Sequence, residues 1–245
     1  MGKVMTVLAA SMLALVWTTS AVAADRDADF SKMLEIYKQR ADVKKHKEAA
    51  KAAKDLAAAY PKDKEIQIFC ARTAYFCAHR LKADEKAKIA GWGVECTKRV
   101  LSENNKDYDA RYWWARTSLK ARESEGIQAA IKQANVVQEF LAKLIKDEPG
   151  RFEGYMSQGA VLREIPGFLG GDKKKALEVL KKGYAIAPRD AELLLELAAA
   201  YAVNGDKETA RVMYDKCVKD SDKPTHLEWE TEDARAYAKK MKGKL

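Results

Sequence analysis

Metal-binding and nucleophilic chemistry would fall first to His46, His79 and His226 and to Cys70, Cys77, Cys96 and Cys217. Their spacing serves neither use. No histidine has a second histidine or a cysteine three or four residues away, so no helical turn presents two ligands together. The H-E-x-x-H, G-x-S-x-G, G-x-G-x-x-G and phosphate-loop patterns are absent, as are C-x-x-C and C-x-x-C-H. Gly167-Phe168-Leu169-Gly170-Gly171-Asp172 is rich in glycine but lacks the lysine of a phosphate loop. Asp172 there reads as the N-cap of a helix starting at Lys173. The acid pairs Asp107/Asp109 and Glu123/Glu125 read as surface charge. No catalytic residue, metal or cofactor is expected, and the chain is expected to bind rather than catalyse.

The side chains that remain chemically distinctive are arginines. Arg72, Arg116 and Arg163 recur at comparable places along the chain, and a guanidinium grips a carboxylate with two parallel hydrogen bonds. Two readings stand: a basic ladder open to a ligand, or arginines each paired with a neighbouring glutamate such as Glu164 or Glu153. The cysteines also leave two readings. Cys70 and Cys77 are about 10 Å apart on one helix, too far to join. A turn near Ala83–Asp84 would bring Cys70 level with Cys96, allowing a disulfide; otherwise these are small core residues.

Helices must position these groups. With 13 Gly and 5 Pro among 245 residues, and Ala, Lys, Leu and Glu dominant, the composition favours helix over sheet. An apolar share of 47% is enough for a packed core, which excludes a disordered chain. The first residues stand apart. Lys3, the apolar run Val4–Trp17 and Ala21-Val22-Ala23-Ala24 form a secretory signal peptide over 1–24, cleaved after Ala23 or Ala24. The expected destination is the periplasm. The formal charge is +9, but an exported chain does not meet nucleic acid. Its lysines mostly alternate with acids, as between Lys44 and Asp55, in the manner of a solvated helix face.

The apolar residues repeat. Leu194, Leu197, Ala198 and Tyr201 share one helix face, Gly205-Asp206 makes a turn, and Ala210, Tyr214 and Cys217 line the next helix. Small residues sit where helices cross, and large ones fill the gaps beside them. Pro61, Pro149 and Pro188 close successive units, because proline cannot continue a helix. This pattern resembles the tetratricopeptide repeat. It implies an all-α tetratricopeptide-repeat (TPR) α-solenoid in one domain, 25–245. Five helix pairs are expected near 31–61, 63–104, 107–149, 151–188 and 190–220, with a capping helix over 227–241. Units two, three and four are long, and each insertion is expected between the two helices of its unit. Unit three gains Glu123 to Ala130, and unit four gains Phe168, Leu169, Gly170, Gly171 and Asp172.

In such an array the first helix of each pair lines the concave face. The expected lining is Ile68, Arg72, Tyr75 and Phe76 from unit two, Tyr112, Arg116 and Lys120 from unit three, and Met156 and Arg163 from unit four. Trp113 and Trp114, adjacent on a helix, cannot point the same way.

Tyr112-Trp113-Trp114-Ala115, then Gly126-Ile127, then Pro166 through Ala176 with its Gly-Gly-Asp, resembles the T component associated with TRAP transporters over about 105–220. That resemblance implies a periplasmic partner, a TRAP solute-binding protein. It also implies a small organic acid or apolar ligand and assembly as a homo-oligomer. Known members can be lipoproteins, whereas no cysteine stands at the cleavage site here. An adaptor for envelope assembly or secretion is the alternative.

Overall fold

A computed structural model describes residues 25–224 and 227–245; the expected signal peptide, 1–24, and His226 lie outside the described residues. Among the described residues eleven α-helices follow one another, with no strand. They are α1 over 25–38, α2 (His46–Ala59), α3 (Lys64–Ala78), α4 (Ala83–Glu103), α5 (Tyr108–Arg122), α6 (Ile127–Asp147), α7 (Phe152–Glu164), α8 (Lys173–Ile186), α9 (Ala191–Val203), α10 (Lys207–Asp220) and α11 (Glu228–Lys242).

Aspartates start many of these helices. Asp63, Asp107, Asp172, Asp190 and Asp206 each accept a hydrogen bond from the backbone amide three residues on, at 2.8–3.0 Å. Such caps satisfy amides that have no partner within the helix. At Pro61 and Pro188 the logic is compact: proline bars continuation of one helix, and the aspartate two residues later opens the next.

Each helix packs on its sequence neighbours, and the first helices of adjacent pairs also touch, α3 on α5, α5 on α7 and α7 on α9. One large core runs from Tyr108 to Ala238, with smaller clusters in the first two pairs. Gly93 marks a tight crossing of α3, α4 and α5. A Cβ there would stand 2.6 Å from Thr117 Cγ2, 3.2 Å from Ala74 Cβ and 3.3 Å from the Ala71 carbonyl oxygen. In the same hairpin Cys70 and Cys96 are joined by a disulfide, with Cα atoms 6.4 Å apart. In the chain-entropy picture such a link contributes about 3.5 kcal/mol. Cys77 and Cys217 are free and buried.

Two expectations need correction. Units two and three are long because α4 and α6 each run 21 residues, against 14 for α2, α8 and α10. The inter-helix links there are short, 79–82 and 123–126, and α6 has already begun at Ile127. Apolar spacing continues through both helices without a break, so loop and helix are not separable by unit length alone. Only unit four carries its extra residues in the link, at 165–172.

The second correction concerns α11. It covers α10 and α9 as a cap should, but its first turns also reach the other end of the chain. Arg40 Nε donates to Glu230 Oε1 at 2.7 Å, and Tyr37 Oη donates to the same oxygen at 3.1 Å. The Trp229 ring meets His46 edge-on at 5.4 Å, and Arg80 pairs with Asp233. The array therefore closes on itself instead of ending in an exposed terminal repeat.

This packing sets the expected cost of two kinds of substitution. Gly93→Ala should lower stability by about 1–3 kcal/mol through overpacking, whereas Gly91→Ala, with open space around it, should raise it by about 0.8–1 kcal/mol through helix propensity; urea unfolding of both variants checks the pair. Glu230→Ala removes the carboxylate that Arg40 grips across the closure, and breaking a buried pair of this kind costs about 3–5 kcal/mol. Hydrogen exchange should then rise across 228–242 and spare α5–α8; unchanged protection of α11 would refute the closure.

Candidate functional site

Closure of the array frames a cavity of about 1520 Å³, partly open to solvent, on its concave side. The first helices of successive pairs line it at helical spacing: Tyr75 and Phe76 from α3, Arg116, Leu119 and Lys120 from α5, Met156, Ala160 and Arg163 from α7, and Leu195, Glu196 and Ala199 from α9. The length of α6 brings Ile127, Ile131 and Ala134 into the wall, and α11 supplies Trp229, Ala234 and Tyr237. Much of the surface is thus aliphatic or aromatic.

Its charges are arranged in pairs. The Arg116 guanidinium is buried, 8% exposed, and grips both oxygens of Glu192; the Nη1–Oε2 separation is 2.9 Å. It also donates to the Tyr112 hydroxyl at 2.6 Å and the Tyr75 hydroxyl at 2.5 Å, and lies 3.9 Å over the Tyr75 ring. Burial opposes its charge, but Glu192 and the two tyrosines hold it protonated, well above the ordinary arginine value. Burial pushes Tyr75 up to about 12. The pair ties α5 to α9 across the intervening pair.

Arg163 donates to Glu196 at 2.6 Å and to Glu164 at 3.3 Å, while its buried Nε has no partner. Burial pushes the Glu196 carboxyl up to about 7 despite Arg163, with Glu164 and Glu192 adding to the rise. It pushes Asp190 up to about 6, against the amide of Leu193 that bonds it. Elsewhere on the wall Lys120 pairs with Glu123 at 2.7 Å, Arg80 with Asp233, and Arg189 with Asp222 at 2.8 Å. Burial lowers His79 below the usual histidine range and so favours its neutral form.

Of the nine residues expected on the concave face, Tyr75, Phe76, Arg116, Lys120, Met156 and Arg163 line the cavity. Ile68, Arg72 and Tyr112 are not among its lining residues. Tyr112 is buried against Trp113 and bonds Arg116. Arg72 lies over the Phe69 ring, with a buried Nε that has no hydrogen-bond partner. Arg116 and Arg163 face glutamates rather than open space, in the manner of the paired reading. Trp113 joins the cluster of Tyr75, Phe76 and Tyr112, and Trp114 packs on Phe140.

The inserted loop does not line the cavity beyond Ile165 and Pro166. Phe168 points to solvent, 87% exposed, on a short 3-10 turn (Gly167–Leu169). Gly170 is needed at φ +97°, and a Cβ on Gly171 would strike the Ile165 carbonyl, so both glycines serve the turn. Asp172 caps α8.

Sequence reasoning missed Glu192 and Glu196. Their spacing of four on a first helix was the available signal, and it places them on one face. The contributions of α6 and α11 carried no such signal, since they depend on helix length and on closure. Among the described residues no group of three His, Cys, Asp or Glu is placed to hold a metal. No described helix is long and apolar enough to cross a membrane.

No protein-family model matches the chain, and no curated protein matches it. Among solved structures it is similar to TTC0263, a thermophilic TPR protein in Thermus thermophilus, with a TM-score of 0.59 at 18% identity over 83% of this chain and 97% of that one. A crystal structure of MamA matches with a TM-score of 0.42 at 16% identity, over 85% of this chain and 94% of that one. The helix order and the likeness to TTC0263 make the fold an all-α tetratricopeptide solenoid.

Proposed function

We propose that this protein is an exported tetratricopeptide scaffold that receives a segment of a partner protein in the cavity framed by α3, α5, α7, α9 and α11. The observation that carries this reading is the cavity itself. At about 1520 Å³ it is larger than the roughly 300–1,000 Å³ of small-molecule sites, and its walls mix apolar surface with ordered polar groups. Export is supported by the Lys3–Ala24 pattern and by the Cys70–Cys96 disulfide, which suits an oxidising compartment such as the periplasm.

The partner class rests on the resemblance of 105–220 to the TRAP T component, which points to a TRAP solute-binding protein. An adaptor role in envelope assembly or secretion is the second reading. It gains from one specific observation: Arg116 and Arg163, the cations that would have gripped a small organic acid, are engaged by Glu192 and Glu196. An apolar ligand and a homo-oligomer remain part of the TRAP reading, and exposed Phe168 and Ile127 offer apolar surface for a second copy.

The mature protein should begin at Ala24 or Asp25, which intact-mass measurement of periplasmic material checks. Ala199→Trp places an indole in the cavity without removing any ion pair. Partner capture from periplasm should fall at least about ten-fold, the size expected when a buried contact at the centre of an interface is blocked. The melting temperature should stay within a few degrees. Undiminished capture would sink the cavity as the binding site, and identification of the captured protein separates the TRAP reading from the adaptor.

A further inference from the structure

Resting on that cavity reading, we propose that the bound segment is cationic: a stretch of the partner that carries Lys or Arg among apolar residues and seats its charge on the carboxylates of α9. The chain as a whole is basic, at +9, yet this wall of its cavity is acidic. Glu192 and Glu196 lie one turn apart on α9, Asp190 caps the same helix, and Glu164 ends α7; all four line the cavity. Among the described residues only Arg116 and Arg163 form ion pairs with these four carboxylates.

The charges of both guanidiniums are already engaged by these carboxylates, although the buried Nε of Arg163 has no hydrogen-bond partner. Arg116 spends its terminal nitrogens on Glu192 and two tyrosine hydroxyls, and the Nη2 of Arg163 serves Glu196 and Glu164 together. An incoming carboxylate meets four carboxylates against two guanidiniums, and the one guanidinium donor left over, Arg163 Nε, is buried. An incoming ammonium or guanidinium meets oxygen acceptors in a partly desolvated setting, where charge-assisted bonds are strongest. The surrounding apolar wall, with Leu119, Ile131 and Leu195 in it, suits the apolar flanks of such a segment.

The titration of the wall agrees with this assignment. Glu196 is raised to about 7 and Asp190 to about 6, chiefly by burial. The groups facing Glu196 are Arg163 and Glu164 on α7, Arg116 on α5, Glu192 on its own helix, Tyr214 on α10 and Tyr75 on α3. A bound cation favours the ionised carboxylates, so binding releases protons and tightens as pH rises through about 6–8.

The test uses the mature full chain and three acetylated, amidated hexapeptides followed by calorimetry: Leu-Lys-Ala-Leu-Arg-Leu, the same peptide with Glu at both charged positions, and the same with Gln. The cationic peptide should bind at least about ten-fold more tightly than the anionic one, the scale of a buried interfacial charge pair. Its affinity should rise between about pH 6 and pH 8, and Glu196→Gln should reduce both the preference and the pH dependence. Bulk attraction to a mature chain that stays strongly basic favours the anionic peptide, so a cationic preference cannot arise from net charge. Equal or tighter binding of the anionic peptide overturns the proposal, and so does a preference that Glu196→Gln leaves intact. If Glu196→Gln unfolds, the wild-type peptide ranking still decides. Failure of every peptide, with partner capture still lost in Ala199→Trp, rejects the cationic segment and keeps the cavity. Capture unaffected by Ala199→Trp rejects the cavity reading itself.

Discussion

A buried ion pair between the two ends of the chain, Arg40 with Glu230, converts a row of helical hairpins into a closed frame. Their side chains are 4% and 9% exposed, and 190 residues separate them. In a repeat array each unit ordinarily contacts only its neighbours, so the ends are independent. Here they are not. The pair has Tyr37 as an added donor, and Arg40 lies 3.5 Å over the Tyr37 ring. A buried pair adds little net stability over apolar packing, yet it is costly to break. Its contribution is therefore to fix where α11 sits, and with α11 the last wall of the cavity.

Inside the frame Arg116 plays the corresponding part. It joins α5 to α9 and skips α7, which is possible only where the concave side is tightly curved. Two tyrosine hydroxyls accept further hydrogen bonds from it, which offsets part of the cost of burying the charge. Curvature, ion pair and cavity are one arrangement: the close approach of α5 and α9 brings their charged faces together, and the pairing in turn leaves the α9 carboxylates short of cations.

Length and small residues tune this frame. The extra turns of α6 carry Ile127 and Ile131 to the cavity, and Gly93 lets α4 pass close to α3 and α5. The disulfide then holds the α3–α4 hairpin that presents Tyr75 and Phe76.

The sequence by itself determined the helices, their order and their junctions, because these rest on local chemistry: apolar spacing of three and four, prolines that stop helices, aspartates that start them. It also placed six of the nine expected concave residues at the cavity, since repeat register fixes which face a residue occupies. It left open whether the arginines face a ligand or a glutamate, because Arg116 and Glu192 are 76 residues apart and no local pattern links them. Likewise the pairing of Cys70 with Cys96 needed the hairpin geometry. The closure by α11, the cavity it frames and the acidic character of one wall were decided only in three dimensions. They depend on the accumulated curvature of five packed pairs, in which small rotations at each interface add up to a contact between the two ends.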